Sequence, residues 1–139
     1  MPLKAYKNMN AYKLFVLDVG LLGAMSELPA ESILEGNDIF VEFKGALTEQ
    51  YVLQQLISDT PYTPYYYGNE KATFEQDFLI QKAKSIVPIE VKVEQNIRSH
   101  SLKTYCEKFQ PEEAVRFSTL KYKEQEWMVN IPLYAVCNL

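Results

Sequence analysis

The stretch DFLIQKAKSIVPIEVK, residues 77–92, decides the fold of this 139-residue chain. Two apolar runs flank a polar four-residue loop at 82–85, and this pattern predicts an antiparallel β-hairpin. The register of such a hairpin places Gln81 opposite Ile86, Ile80 opposite Val87, and Phe78 opposite Ile89. Charged side chains stand within both runs, although charges seldom occupy buried strands without a partner or a function.

The charged residues of the hairpin are expected to converge. If the register continues outward, Asp77 faces Glu90 and Glu75 faces Lys92. Opposed residues point to the same face with Cβ atoms about 5 Å apart, so all four side chains share one face. The repulsion between Asp77 and Glu90 could be relieved by a shared proton, by Lys92 or by a divalent cation. Ordinary cross-strand ion pairs of Lys92 on a solvated face are the alternative.

A helix is predicted upstream of the hairpin, in GALTEQYVLQQLIS at 45–58. Leu53, Leu56 and Ile57 form an apolar helical stripe that predicts its buried face. Glu49 lies close to this stripe, whereas most helix glutamates face water. The helix therefore offers a third carboxylate to the charged face of the hairpin.

The remaining elements complete a mixed α/β (α+β) pattern with a mixed central sheet. Residues 12–28 predict a short extended piece followed by a small apolar helix. Further elements are predicted as a strand in PYYYGNE, a helix over 99–109, and strands in EAVRFSTL and EWMVNIPLYAV. The order after residue 44 is α-β-β-β-α-β with an additional C-terminal strand.

Composition narrows the classes of protein that fit. The chain carries 18 acidic and 14 basic residues, a net charge of −4, which is the wrong sign for a free-standing nucleic-acid binder. Its two cysteines lack metal-site spacing and are expected to stay reduced. No segment is long enough to span a bilayer, so we expect no membrane association and a cytoplasmic location. Basic residues at Lys103, Lys108, Arg116, Lys121 and Lys123 alternate with glutamates and predict a mixed, solvated face.

The acid on the first helix, the aspartate on the second strand and Glu-x-Lys on the third resemble the PD-(D/E)xK nuclease superfamily. The Asp-x(12)-Glu-x-Lys spacing is a weak motif by itself. A closer resemblance covers nearly the whole chain, in YKLFVLDVGLLGAM, GALTEQYVLQQL, EQDFLI, VPIEVKV, SLKTYCEKF, AVRFS and NIPLYAV. These stretches look like the C-terminal domain of unknown function of predicted prokaryotic AAA-type ATPases, a domain itself similar to PD-(D/E)xK nucleases.

The resemblance implies a restriction-endonuclease-like core and a magnesium-dependent deoxyribonuclease acting on DNA. Residues 1–36 would form an N-terminal extension packing on the core, and residues 37–139 the nuclease-like domain. The implied metal ligands for Mg²⁺ or Mn²⁺ are Asp77, Glu90 and the backbone carbonyl of Val91. The implied catalytic residues are Lys92, Glu49 and Glu75. Lys92 would position the attacking water or contact the phosphate, and Glu75 would support Lys92. Glu49 would orient a metal-bound water or complete a second metal site.

One departure from the resembling ATPases changes the expected role. The sequence has no Gly-x-x-x-x-Gly-Lys-Ser/Thr phosphate loop, so no nucleotide site is expected in this chain. An ATPase module would belong to a longer protein or to a partner chain. The alternative function is therefore a catalytically silent nuclease-fold module that binds nucleic acid or a protein partner for an ATPase.

Overall fold

The computed structural model describes residues 2–29, 31, 38–68, 74–93 and 99–139, with the side chains of the long helix described from residue 43 onward. Its α-helices are α1 (Val19–Met25), α2 (Asp38–Asp59) and α3 (His100–Phe109). Its strands are β1 (Tyr65–Tyr67), β2 (Gln76–Lys82), β3 (Ser85–Lys92), β4 (Val115–Ser118), β5 (Lys123–Glu124) and β6 (Val129–Pro132). Short 3₁₀ helices span Leu3–Tyr6 and Leu133–Asn138. The expected domain boundary at 36–37 lies outside the described residues.

The strands form one mixed sheet in the order β1-β2-β3-β4-β6-β5, and this confirms the predicted mixed α+β class. The pairs β1/β2, β2/β3 and β5/β6 are antiparallel, while β3/β4 and β4/β6 are parallel. The carboxyl ends of the three parallel strands therefore meet at one edge, where Lys92 pairs with Ser118 and Ser118 with Pro132. Open sheets of this kind commonly place ligands beyond such an edge.

The central hairpin has the predicted register, with Phe78 opposite Ile89, Ile80 opposite Val87 and Gln81 opposite Ile86. Its loop is tighter than predicted, because Lys82 also pairs with Ser85 and leaves a two-residue turn at 83–84. The first turn residue, Ala83, has a left-handed φ of 51°, as a tight hairpin turn requires. The predicted pairing of Asp77 with Glu90 is not part of the ladder, which ends at Phe78 and Ile89.

Two helices cover opposite faces of the sheet. Helix α2 contributes Val52 and Leu56 to the main core, packed on Phe78, Ile80, Val87, Ile89, Val115, Phe117 and Val136. Leu79 has the opposite parity on β2 and packs with Tyr105 of α3. Ile57 was predicted in the buried stripe but is 63% exposed, because the face of α2 that meets the sheet passes through Val52 and Leu56 instead.

The last predicted strand ends earlier than its sequence pattern suggested. Strand β6 stops at Pro132, and the following LYAV stretch is a 3₁₀ helix that returns to the core through buried Val136. Strand β5 pairs only with Val129 and Asn130, so Pro132 faces no β5 partner that would need its missing N–H. After Pro132, Val136 is buried in the core and Leu133 and Leu139 pack partly against it, without sheet pairing, while Tyr134 is exposed.

Candidate functional site

The candidate site lies where the ladder between β2 and β3 gives way to side-chain contacts. The Val91 backbone N–H donates to Asp77 Oδ2 at 2.8 Å. Gln76 Nε2 donates to the carbonyl oxygen of Ile89 at 2.6 Å. Two neighbouring side chains of β2 thus bind the β3 backbone, and the Asp77 carboxylate lies against the peptide that joins Glu90 to Val91.

Other predicted site residues act electrostatically on Asp77 and shift its pKa. Burial raises the pKa of Asp77 from 3.8 to about 6, and the hydrogen bond from Val91 opposes that rise. The carboxylates of Glu49 and Glu90 raise this pKa further, whereas the ammonium of Lys13 lowers it. A carboxyl group perturbed by burial and by specific charges is typical of functional sites. Asp77 therefore changes its charge near neutral pH.

Glu90 carries an unsatisfied oxygen in the interior. The residue is 2% exposed, and its Oε1 lies 3.1 Å from Lys92 Nζ. Its Oε2 is buried and has no hydrogen-bond partner within the described ranges. A buried carboxylate oxygen without a partner is costly, and a proton, a water or a cation can relieve it.

A buried polar row extends from Glu90 across the sheet. Glu90, Arg116 and Asn130 stand side by side on β3, β4 and β6. Arg116 Nε donates to Asn130 Oδ1 at 2.8 Å, and Nη1 donates to Ser99 Oγ at 3.3 Å just before α3. Burial lowers the pKa of Arg116, and the nearby Glu90 carboxylate opposes this shift. The prediction of a solvated face was thus wrong for Arg116, which is a buried counter-charge.

Glu49 lies on α2 and pairs with a residue that sequence reasoning missed. Lys13 Nζ donates to Glu49 Oε1 at 2.9 Å, and both side chains are about three-quarters buried. The next helix residue, Gln50, binds the backbone of Val16 twice, accepting from its N–H at 3.1 Å and donating to its carbonyl at 2.9 Å. A glutamine on the apolar face of α2 was the available signal, because a buried amide needs partners.

Glu75 is the most exposed of the predicted site residues. Its side chain is exposed and rests against Gly68 at the end of β1. Among the described residues, the ion pair of Lys92 is with Glu90, so the alternative of cross-strand ion pairs of Lys92 with Glu75 and Asp77 is not formed. Within the described residues, the candidate site therefore contains the charge pairs Glu49–Lys13 and Glu90–Lys92. Both carboxylates act electrostatically on Asp77.

Two negative findings apply to the part of the chain that the structure describes. There, no set of three or more His, Cys, Asp or Glu side chains is arranged to hold a metal ion. No described helix is both long and apolar enough to cross a membrane.

Comparison with known proteins gives a family. A family model with the description "Domain of unknown function (DUF4143)" matches residues 44–135. The chain belongs to the DUF4143 family. No curated protein and no solved structure matches it. The DUF4143 match contains Glu49, Asp77, Glu90 and Lys92, but it begins after Lys13.

Proposed function

We propose that this DUF4143 chain is a nuclease-like domain of the PD-(D/E)xK type, which hydrolyses phosphodiester bonds of DNA with the help of Mg²⁺ or Mn²⁺. One observation carries the proposal. The Asp77 carboxylate is hydrogen-bonded to the peptide between Glu90 and Val91, so the aspartate of one strand meets the Glu-x-Lys element of the next. The proposal includes a restriction-endonuclease-like arrangement of the mixed sheet and its helices.

The donor set suits a hard divalent cation. Asp77, Glu90 and the Val91 carbonyl supply only oxygen ligands, and Glu90 Oε2 is a buried oxygen for which the described residues supply no partner. Mg²⁺ is usually held by one or two carboxylates and several waters, so a set of three acidic ligands is not required. When bound, such a cation lowers the pKa of a water and offsets negative charge on a phosphodiester.

The remaining chemistry belongs to Lys92. Its side chain is 40% exposed while its ammonium lies 3.1 Å from Glu90 Oε1, so it is held at the site and still open to solvent. An ammonium there acts as a point charge toward a phosphate oxygen or positions the attacking water. No nucleophilic side chain is needed, because water is the nucleophile.

Cation binding is tested by thermal melting with increasing Mn²⁺. At about a hundredfold excess over Kd, a single ion adds about 2.7 kcal/mol to the free energy of unfolding, which raises the melting temperature. Asp77→Ala should abolish this rise, whereas Asp59→Ala, at an exposed position on α2, should retain it. A wild-type melting temperature that ignores millimolar Mn²⁺ would count against the proposal.

Catalysis is tested separately by nicking of supercoiled plasmid DNA. Wild-type protein with Mg²⁺ or Mn²⁺ should nick the plasmid, and Lys92→Ala should not. The matched control is Lys103→Ala, because the Lys103 side chain is 65% exposed and pairs only loosely with Glu107 at 3.9 Å. Equal nicking by Lys92→Ala and wild type would exclude the proposed role of Lys92.

A second candidate function is a catalytically silent module that docks onto an AAA-type ATPase. The observation that favours it is a run of exposed apolar side chains in the N-terminal segment. Each is at least 67% exposed, and they are Met9, Tyr12, Leu14, Leu17 and Met25. Apolar surface concentrated in one segment is typical of an interaction site. If this candidate is right, the double variant Leu14→Glu/Leu17→Glu no longer co-sediments with an ATPase chain from the same genome, although its melting temperature is unchanged. Mn²⁺ should then leave the wild-type melting temperature unchanged.

A further inference from the structure

Lys13 places a positive charge among the carboxylates of the candidate site. Its ammonium lies 2.9 Å from Glu49 Oε1 and 5.7 Å from the ring centroid of Tyr66 on β1. It also acts electrostatically on Asp77, where it opposes the effect of Glu49. Lys13 therefore offsets charge on two acids that belong to different elements, α2 and β2.

The segment that carries Lys13 is fixed in place. Gln50 holds both backbone groups of Val16, and Gln54 Oε1 accepts from the N–H of Val19 at 3.0 Å. Phe15 packs on the core with its ring centroid 6.0 Å from that of Phe78. The chain just after Lys13 is thus anchored to α2 through Gln50 and Gln54 and to β2 through Phe78, which holds the ammonium beside Glu49.

The pair also lines an open space. A cleft of about 280 Å³ is bordered by Lys13, Phe15, Val16, Leu22, Glu49 and Gln50, among others. An ion could therefore reach the Glu49 carboxylate if the ammonium were absent. An ammonium and a divalent cation compete for the same carboxylate oxygens, because like charges repel strongly at such short separations.

We infer that the Lys13 ammonium serves as the second cation of the site, so that the chain binds one divalent ion, at Asp77 and Glu90, while Glu49 stays paired with Lys13. This inference rests on the proposed cation site and specifies its stoichiometry. Of the two roles expected for Glu49, it excludes the completion of a second metal site in the wild-type chain. Lys13 lies outside the DUF4143 match, so the match does not assign it a role.

The inference is tested by counting bound Mn²⁺ with electron paramagnetic resonance and isothermal titration calorimetry on the full chain. Wild type and Lys13→Arg should each bind one ion. Lys13→Met should gain a second, weaker ion, and adding Glu49→Gln to that variant should remove it. Lys7→Met is the matched control for loss of a lysine in the exposed N-terminal stretch, and it should bind one ion. Lys13→Gln, which keeps a polar side chain, replaces Lys13→Met if the latter does not fold.

The outcomes separate this inference from the function on which it rests. Two ions in the wild type, or a single ion in both Lys13→Met and Lys13→Gln, would overturn the role of Lys13 but leave the proposed cation site at Asp77 and Glu90 standing. A wild-type chain that binds no Mn²⁺ would overturn the proposed function and this inference together. A second ion that persists after Glu49→Gln would also refute the inference, because the ion would then lie elsewhere.

Discussion

Asp77 and Val91 are joined by a 2.8 Å hydrogen bond from the Val91 backbone N–H to the Asp77 carboxylate. The bond replaces a backbone contact just beyond the end of the β2–β3 ladder. It favours the ionised carboxylate, yet burial outweighs it and the pKa of Asp77 rises from 3.8 to about 6. The protein therefore keeps a carboxylate where its charge is unfavourable, and this has measurable effects on stability.

The first prediction is that Asp77→Asn stabilises the protein at neutral pH. The folded pKa lies above the unfolded one, so the ionised group destabilises the fold increasingly as pH rises from about 4 to about 6. The asparagine Oδ1 can still accept from Val91. In the presence of a chelator, the gain in the free energy of unfolding over wild type should be near zero at about pH 4. It should reach at most about 3 kcal/mol at about pH 8. Urea unfolding of wild type and variant at both pH values measures it.

The control for this prediction is Asp59→Asn, which removes a carboxylate from an exposed position on α2. A gain for Asp77→Asn that is equal at low and high pH would contradict the prediction, since the effect would then not come from ionisation.

The second prediction concerns the buried charges of Glu90 and Arg116. Arg116→Met leaves the buried Glu90 with only the partly exposed Lys92 as a counter-charge and should cost about 3–5 kcal/mol of the free energy of unfolding. Adding Glu90→Gln should recover about 1–3 kcal/mol, because the remaining partner is then neutral. Urea unfolding of the two single variants and the double variant provides the coupling energy. Strictly additive effects would show that the two residues do not interact.

The third prediction concerns the contact between Gln50 and Val16. Gln50→Ala removes two hydrogen bonds to the Val16 backbone and should cost about 2 kcal/mol, or about 1 kcal/mol for each bond. Hydrogen exchange of the Val16 amide should become faster, and the acceleration should be largest in this segment. A general loss of stability would instead accelerate exchange throughout the protein. Gln125→Ala, at an exposed position, is the control. Unchanged exchange at Val16 would show that the segment is held by other contacts.

The fourth prediction compares two neighbouring residues on α2. Leu56 is 0% exposed and packs against the sheet, so Leu56→Ala should cost about 2–5 kcal/mol. Ile57 is 63% exposed, and Ile57→Ala should change stability by no more than about 0.5 kcal/mol. Thermal or urea unfolding of both variants checks the orientation of the helix. The reverse order of effects would mean that α2 presents a different face to the sheet.

The hairpin was predictable because a strong local pattern fixes it. Alternating apolar residues on both sides of a short polar loop allow few registers, since a shift by one residue would expose the face that carries Phe78 and Ile80. The convergence of Asp77 with the Glu-x-Lys element followed in part from that register. The ladder end at Phe78 was not predictable, because it depends on how the side chains of Gln76 and Asp77 bind a neighbouring strand.

The partners of the charged residues were also beyond sequence reasoning. Arg116 stands among lysines and glutamates in the sequence, and only the parallel pairing of β3 with β4 places it beside Glu90. Lys13 reaches Glu49 across 36 residues of sequence, a contact that no local periodicity encodes. Long-range tertiary contacts, not propensity, determine which charges are neutralised.

The two hydrogen bonds between the Gln50 side chain and the Val16 backbone indicate which N-terminal residues the folded domain needs. A polypeptide trimmed to the matched segment would keep the amide of Gln50 and the carboxylate of Glu49 but lose the backbone and the lysine that satisfy them. The family match thus covers a shorter segment than the one in which these polar groups have their partners. Anyone shortening this chain for crystallisation should cut before Lys13, not at the edge of the matched segment.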